Sequence, residues 1–154
     1  MGEDDGTGAR IVVGVDGSPT SCQALRWAAH QARRTGAVLE VVTCWEYPTS
    51  YGWVPPYPPD FDPGGDARHS LTETVEDVLG DDPGIDIELV VTEGHAAPVL
   101  VEAARGATLL VVGSRGHGGF TGMLLGSVSE HCVHHAPCPV TVVRRSEPGS
   151  DRSA

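Results

Sequence analysis

The sequence predicts an α/β fold: one doubly wound domain, a five-stranded parallel sheet in the order 3-2-1-4-5 with helices on both faces. Three observations carry that expectation. Short, β-branched and almost wholly apolar runs recur five times along the 154 residues, as strands buried on both faces require. Segments with apolar residues at helical spacing separate them, so strand and helix alternate. Nearly every change of element falls at Gly, Pro, Ser or Asp, the residues that interrupt regular backbone.

Taken in order, residues 10–16 (RIVVGVD) form the first strand, ended by Gly17 and Ser18. A helix follows at once: Ser18 can cap it, Pro19 suits its first turn, and Cys22, Leu25, Ala28, Ala29 and Ala32 make an apolar stripe that Gly36 stops. Residues 38–45 (VLEVVTCW) return to strand character. The first 45 residues are therefore a β-α-β unit with a right-handed crossover. Residues 46–66 contain six prolines and several aromatics, too many prolines for a helix or central strand. They are read as a long surface loop, a solvated insertion in preference to a lid built on Tyr51, Trp53 or Tyr57. A weaker helical pattern at 69–79 (Leu71, Val75, Val78, Leu79) leads to a strand at 85–92 (IDIELVVT). A short amphipathic helix at 98–105, stopped by Gly106, precedes a buried strand at 107–112 (ATLLVV). After the glycine-rich stretch 113–126, a helix is expected at 127–135, opened by a capping box of Ser127 and Glu130. The last strand is 139–144 (PVTVVR). The domain spans 10–145, and residues 1–9 and 146–154, which lack periodicity, are expected to be disordered tails.

Composition narrows the function. The length suits one domain, and 40% apolar residues are enough for a sizeable core. Ten basic residues against 21 acidic give a net charge of −11, and all ten are Arg. Without Lys there is no Schiff-base amine and no P-loop Lys, so a phosphate site must use backbone amides, hydroxyls or Arg. The negative balance opposes binding to nucleic acid or to anionic membranes. Cys22, Cys44, Cys132 and Cys138 form no CxxC pair, the first residues do not read as a secretory signal, and no apolar run approaches the ~20 residues of a membrane helix. A reduced, cytoplasmic protein is expected.

In open α/β sheets ligands bind beyond the carboxyl ends of the strands. Three segments meet there: Val15, Asp16, Gly17 and Ser18 after strand 1; Thr43, Cys44 and Trp45 at the end of strand 2; and the run from Gly113 through Ser114, Arg115, Gly116 and His117 to Gly119. Closely spaced glycines allow positive φ and leave N–H groups uncovered for phosphate oxygens, and the helix at Ser127 adds its positive end. Asp16 is either an Asx-turn acceptor or a contact to a base, a ribose or a cation, since its charge repels phosphates. Arg115, the one cation of that glycine-rich run, either pairs with a ligand or faces solvent. His131, Cys132, His134, His135 and Cys138 are a dense set of ligand types, but their spacing fits no zinc pattern, and no metal is expected to be held by the protein alone. A serine-hydrolase triad is disfavoured because no Gly-x-Ser-x-Gly elbow occurs.

The stretch VVGSRGHGGFTGMLLGSVSEHCVHHAPCPVTVVR resembles the C-terminal signature of the universal stress protein family, and IVVGVDGSPTSCQALRWAAHQA resembles its N-terminal one. The resemblance covers nearly the whole chain and implies a Rossmann-like fold. Its most specific part, G-x2-G-x9-G-[ST], is met by Gly113, Gly116, Gly126 and Ser127 and in that family marks the ATP-binding subclass. By resemblance, Val112, Gly113, Arg115 and Gly116, with Gly126, Ser127, Val128 and Ser129, hold phosphates and ribose. Val15, Asp16, Gly17 and Cys44 belong to the base side. ATP is the implied ligand, with Mg2+ carried on its phosphates, and a homodimer through Val140, Thr141, Val142 and Val143 is the implied assembly. The resulting expectation is a ligand-gated stress or signalling dimer with at most weak ATP hydrolysis. A cyclic-AMP binder, a slow ATPase and a nucleotide-free interaction module are the alternatives. The 46–66 loop is the part that diverges from the family pattern.

Overall fold

The computed structural model describes residues 8–47, 52–53, 55–115 and 125–145. Along them strand and helix alternate from end to end: β1 (Arg10–Gly14), α1 (Pro19–Thr35), β2 (Val38–Trp45), α2 (Pro63–Leu79), β3 (Ile87–Glu93), α3 (Ala96–Ala103), β4 (Leu109–Gly113), α4 (Ser127–His135) and β5 (Val140–Val143). All strand pairs are parallel, in the order β3-β2-β1-β4-β5, as the sequence predicts. The chain winds outward from β1 through β2 to β3, then returns to place β4 on the other side of β1. Strand order therefore reverses between β1 and β4, and a crevice opens there at the carboxyl ends.

Period-two alternation sorts the strand residues onto two cores. Ile11, Val13, Leu39, Val41 and Val111 face the side covered by α1 and α2, where Ala24, Leu25, Ala28, Ala29, Ala32, Leu71 and Val75 pack on them. Val12, Val42, Leu110 and Val112 face the opposite side, under Leu100, Ala104 and Cys132 of the α3 and α4 layer. The run of alanines lets α1 lie close to the sheet. Its ends follow the local signals: the Ser18 hydroxyl accepts from the Ser21 amide at 3.3 Å, and Gly36 closes the helix in the left-handed region at φ 76°.

Three expectations are corrected. First, α2 begins at Pro63, not near 69, because Asp62 caps it by accepting from the Gly65 amide at 3.1 Å and Pro63 occupies the first turn. The last proline of the 46–66 segment starts a helix, since a missing N–H costs nothing at that position. Second, that segment is not simply a solvated insertion: Tyr57 stacks on Phe61 with centroids 4.3 Å apart, Tyr47 stacks on Tyr57 at 5.8 Å, and Trp45 meets Tyr47 edge-on at 5.1 Å. It carries a cluster of partly exposed aromatic rings, with Gly64 beside the Trp45 indole. Trp53 stands out from it at 62% exposure, and Tyr51 falls outside the described residues. Third, α4 spans the expected residues, but Gly126 is its N-cap and no side chain caps it, so the Ser127 and Glu130 capping box does not form. The remaining boundaries differ from expectation by one or two residues, as element ends do. Among the described residues no helix is long and apolar enough to cross a membrane.

Candidate functional site

One wall of the crevice is the turn after β1. The Val15 amide extends the ladder by donating to the Val42 carbonyl at 2.9 Å, and the Val15 side chain is buried. Asp16 is exposed, and its Oδ1 accepts from the Ser18 amide at 2.9 Å, so the Asx-turn reading is realised. The Asp16 amide donates to Ser21 Oγ at 3.2 Å, and that hydroxyl donates to the Ser18 carbonyl at 3.0 Å. Gly17 takes φ 85°, a conformation side chains disfavour. The turn is thus fixed by the Ser18 amide and the Ser21 hydroxyl, and Ser21 is a positioning residue that the sequence pattern does not single out. Its signal is the Ser-x-x-Ser spacing of residues 18 and 21.

The opposite wall is the end of β4. The Ser114 amide donates to the Val143 carbonyl at 2.8 Å, and the Ser114 carbonyl accepts from the Gly126 amide at 2.6 Å and from Ser129 Oγ at 2.9 Å. Ser129 Oγ also reaches the Gly126 carbonyl at 3.1 Å. Ser114 and Ser129 are both buried, so this knot pins together the two ends of the glycine-rich stretch. Gly116 and His117 belong to residues 116–124, outside the described residues. Gly113 has no positive φ. Its role is space, because a Cβ there would lie 2.8 Å from Thr20 Cγ2 and 3.1 Å and 3.2 Å from the Thr20 backbone carbon and oxygen. The first turn of α1 packs where a side chain would stand.

The N-terminus of α4 lies against the end of β4, tied to it through Gly126 and Ser129. Helix geometry leaves the amides of Ser127, Val128 and Ser129 without intrahelical acceptors, and no side-chain cap among the described residues takes them. Uncapped first-turn amides with the positive end of the helix dipole make an anion seat. Arg115 is half-buried at the rim. Val112 is a core residue whose side chain packs under α3 and α4, so its backbone is what borders the crevice. Val128 is half-buried against the same core.

Cys44 stands one strand away, at the end of β2 and opposite Thr92 of β3. The Val15 to Val42 bond links that strand end to the crevice. Burial, reinforced by the neighbouring Glu46 carboxylate, pushes the Cys44 thiol up to about 11, and burial alone pushes Cys132 to about 11. Both are neutral at physiological pH, so Cys44 offers an apolar contact and not a thiolate. Because the ordinary thiol value is 9.0, the unfolded chain releases these protons before the folded chain does. Their stabilisation is complete below pH 9 and is lost as pH rises through about 11. The urea midpoint is expected to fall between pH 8 and pH 10, less steeply in Cys132→Ala than in the wild type; equal slopes would remove Cys132 from the explanation. At the same strand end, His95 Nδ1 meets Glu46 Oε2 at 2.6 Å and the Gly94 amide donates to the Trp45 carbonyl at 2.9 Å, holding the start of α3 against the β2 exit.

Val15, Asp16 and Gly17 thus follow β1, Gly113 ends β4 and Arg115 follows it, Gly126 to Ser129 open α4 beside the Ser114 carbonyl, and Cys44 lies at the end of the neighbouring strand β2. Comparison with known proteins agrees with this architecture. The model of the universal stress protein family matches residues 9–144. A universal stress protein of Mycolicibacterium smegmatis is 38% identical over 135 residues, covering 87% of this chain and 45% of that protein. The chain spans about half the length of the curated relatives it matches. Among solved structures, the universal stress protein UspA from Lactobacillus plantarum superimposes with a TM-score of 0.71 at 21% identity, covering 88% of this chain and 97% of that one. A universal stress protein crystallised in complex with cAMP gives a TM-score of 0.67 at 29% identity, covering 90% and 98%.

Proposed function

This chain belongs to the universal stress protein family, and from that premise we propose that it binds an adenine nucleotide, ATP with its Mg2+, in the crevice between β1 and β4. The observation that carries the reading is the uncapped N-terminus of α4, held at the strand-order reversal by the buried Ser114, Gly126 and Ser129 knot. The amides of Ser127, Val128 and Ser129 take phosphate oxygens. Arg115 and the backbone at Gly113 complete the phosphate side, and this arrangement needs no Lys. Asp16, Gly17, Val15 and Cys44 form the base and ribose side, where a neutral thiol and an exposed carboxylate suit a heterocycle and its hydroxyls better than phosphate. Mg2+ would be held chiefly by the nucleotide's own phosphates.

The protein acts as a binding switch in a homodimer, and nucleotide occupancy shifts the population of a state that a partner recognises. Support for the coupling lies in one bond: the Val143 carbonyl of β5 holds the Ser114 amide at 2.8 Å, so the edge strand and the nucleotide site share a backbone link. The strand Val140–Val143 is half-exposed and pairs on one side with β4; its outer edge suits the same strand of a second copy. Val142→Asp is expected to shift the solution mass to monomer by light scattering, read on protein whose circular dichroism matches the wild type. A folded variant that remains dimeric would place the interface elsewhere.

The function itself is tested by denaturing freshly purified protein, identifying released small molecules by mass spectrometry, and titrating the refilled or empty protein with ATP, ADP and cyclic AMP. Co-purified or tightly titrating ATP is the expected result. A folded protein that carries and binds no nucleotide would overturn the proposal and leave the crevice as scaffold. A cyclic-AMP binder is the second reading, favoured by the 29% identical protein crystallised with cAMP.

A further inference from the structure

The inner side of α4 is set by Ser129 and Cys132, both buried, while Glu130, His131, Val133, His134 and His135 are exposed. His131 and His135 are one helical turn apart, so their rings share a face, with centroids 4.4 Å apart and planes inclined at 39°. Two other histidines of the chain are held by carboxylates. His69 has Glu73 at 3.5 Å and His95 has Glu46 at 2.6 Å, whereas among the described residues neither His131 nor His135 has a hydrogen-bond or ion-pair partner. Two exposed imidazoles with no carboxylate to satisfy them, already in contact, are a preassembled pair of nitrogen donors.

The geometry points to a bidentate metal site: His131 and His135 together bind one first-row divalent cation that prefers imidazole, of the Ni2+, Cu2+ and Zn2+ class. Rotation about the outer side-chain torsion, which is broad for histidine, brings one nitrogen of each ring to a common ion at the roughly 2.1 Å typical of metal–imidazole bonds. Water fills the remaining positions. The site is distinct from the four-ligand zinc centre whose spacing the sequence lacks. Cys132 points into the core between the two histidines, and among the described residues no three His, Cys, Asp or Glu side chains converge on one point. The His134 ring stands farther off, 6.3 Å from that of His135, and is not assigned as a ligand. A net charge of −11 raises the local concentration of cations around the protein.

The test uses the full chain, free of any affinity tag and of nucleotide, titrated calorimetrically with NiCl2 at pH 7.5 with MgCl2 as control. One Ni2+ per chain and no Mg2+ at this site are expected. His131→Gln and His135→Gln should each weaken Ni2+ binding tenfold or more, and His134→Gln should leave it unchanged. Saturating Ni2+ should also raise the urea midpoint of the wild type and not that of the double variant, since a ligand bound only by the intact helix stabilises the fold. Ni2+ binding that survives both single substitutions, or that falls equally with His134→Gln, would overturn the assignment.

Discussion

Gly113→Val is expected to weaken the fold by about 3 kcal/mol, at the upper end of the range for overpacking a close-packed interior, and to abolish nucleotide binding in the same step. The reason is steric and local. A Cβ at Gly113 would sit 2.8 Å from the Thr20 methyl and 3.1 Å and 3.2 Å from the Thr20 backbone carbon and oxygen. A methyl can turn aside, but helix backbone cannot. Thr20 is buried in the first turn of α1, so α1 must retreat from β4. That movement would pull on the Ser18 amide and the Ser21 hydroxyl that fix the Asp16 turn, and both walls of the crevice would shift. Gly14→Ala is the informative control: its Cβ would also meet a neighbour at 2.8 Å, but that neighbour is the far end of the Leu100 side chain, which can rotate. The control should cost about 1 kcal/mol, at the low end of the same range. Urea midpoints and nucleotide titration of the two variants check the prediction. A Gly113→Val protein as stable as Gly14→Ala would show that α1 does not need its close approach to β4.

The contrast between these two glycines also shows what the sequence can and cannot convey. Elements marked by local chemistry are legible: Ser18 and Pro19 open α1, Gly36 closes it, and unbroken β-branched runs mark strands buried on both faces. A doubly wound parallel sheet follows from the alternation, while the order 3-2-1-4-5, as against 2-1-3-4-5, comes with the Rossmann-like resemblance. The site's location follows from strand order, and its glycine spacing is written in the sequence. The purpose of each glycine is not. Gly113 reads as a flexible phosphate-loop residue but serves as a gap for Thr20, 93 positions earlier in the numbering of the chain. Ser127 and Glu130 satisfy a capping pattern, yet the helix is capped at Gly126, whose amide is drawn to the Ser114 carbonyl. That competing partner is remote in sequence, so a window of four residues cannot register it. The same holds for Ser129, whose hydroxyl is engaged by Ser114 fifteen residues away. Pro63 failed as a signal for a different reason: among five other prolines it reads as one more helix breaker, and its place after Asp62 turns it into a helix start.

Gly126→Asp should cost ATP affinity at least 100-fold, about 2.7 kcal/mol by the usual conversion, measured on protein whose circular dichroism matches the wild type. Gly126 has φ −79° and ψ 170°, an extended conformation open to any residue, and its N–H to the Ser114 carbonyl does not depend on the side chain. Asp is among the favoured N-cap residues because its carboxylate accepts from the second and third amides of the helix. Those amides, of Val128 and Ser129, are two of the three proposed to take phosphate oxygens. The substitution therefore stabilises the helix start and blocks the anion seat at once. Charge adds to the blockade, since two unit charges about 4 Å apart repel by about 4 kcal/mol in a partly screened protein environment. Gly126→Ser separates the two causes: a serine cap competes for the same amides without a charge, so its loss should be the smaller. A triphosphate places more negative charge in the seat than a cyclic monophosphate does, so cyclic AMP should suffer less from the aspartate. Equal losses for ATP and cyclic AMP would mean that the α4 amides do not receive the polyphosphate. An unchanged ATP affinity in a folded Gly126→Asp protein would move the phosphates out of this crevice altogether, because the carboxylate would occupy two of the three amides they need.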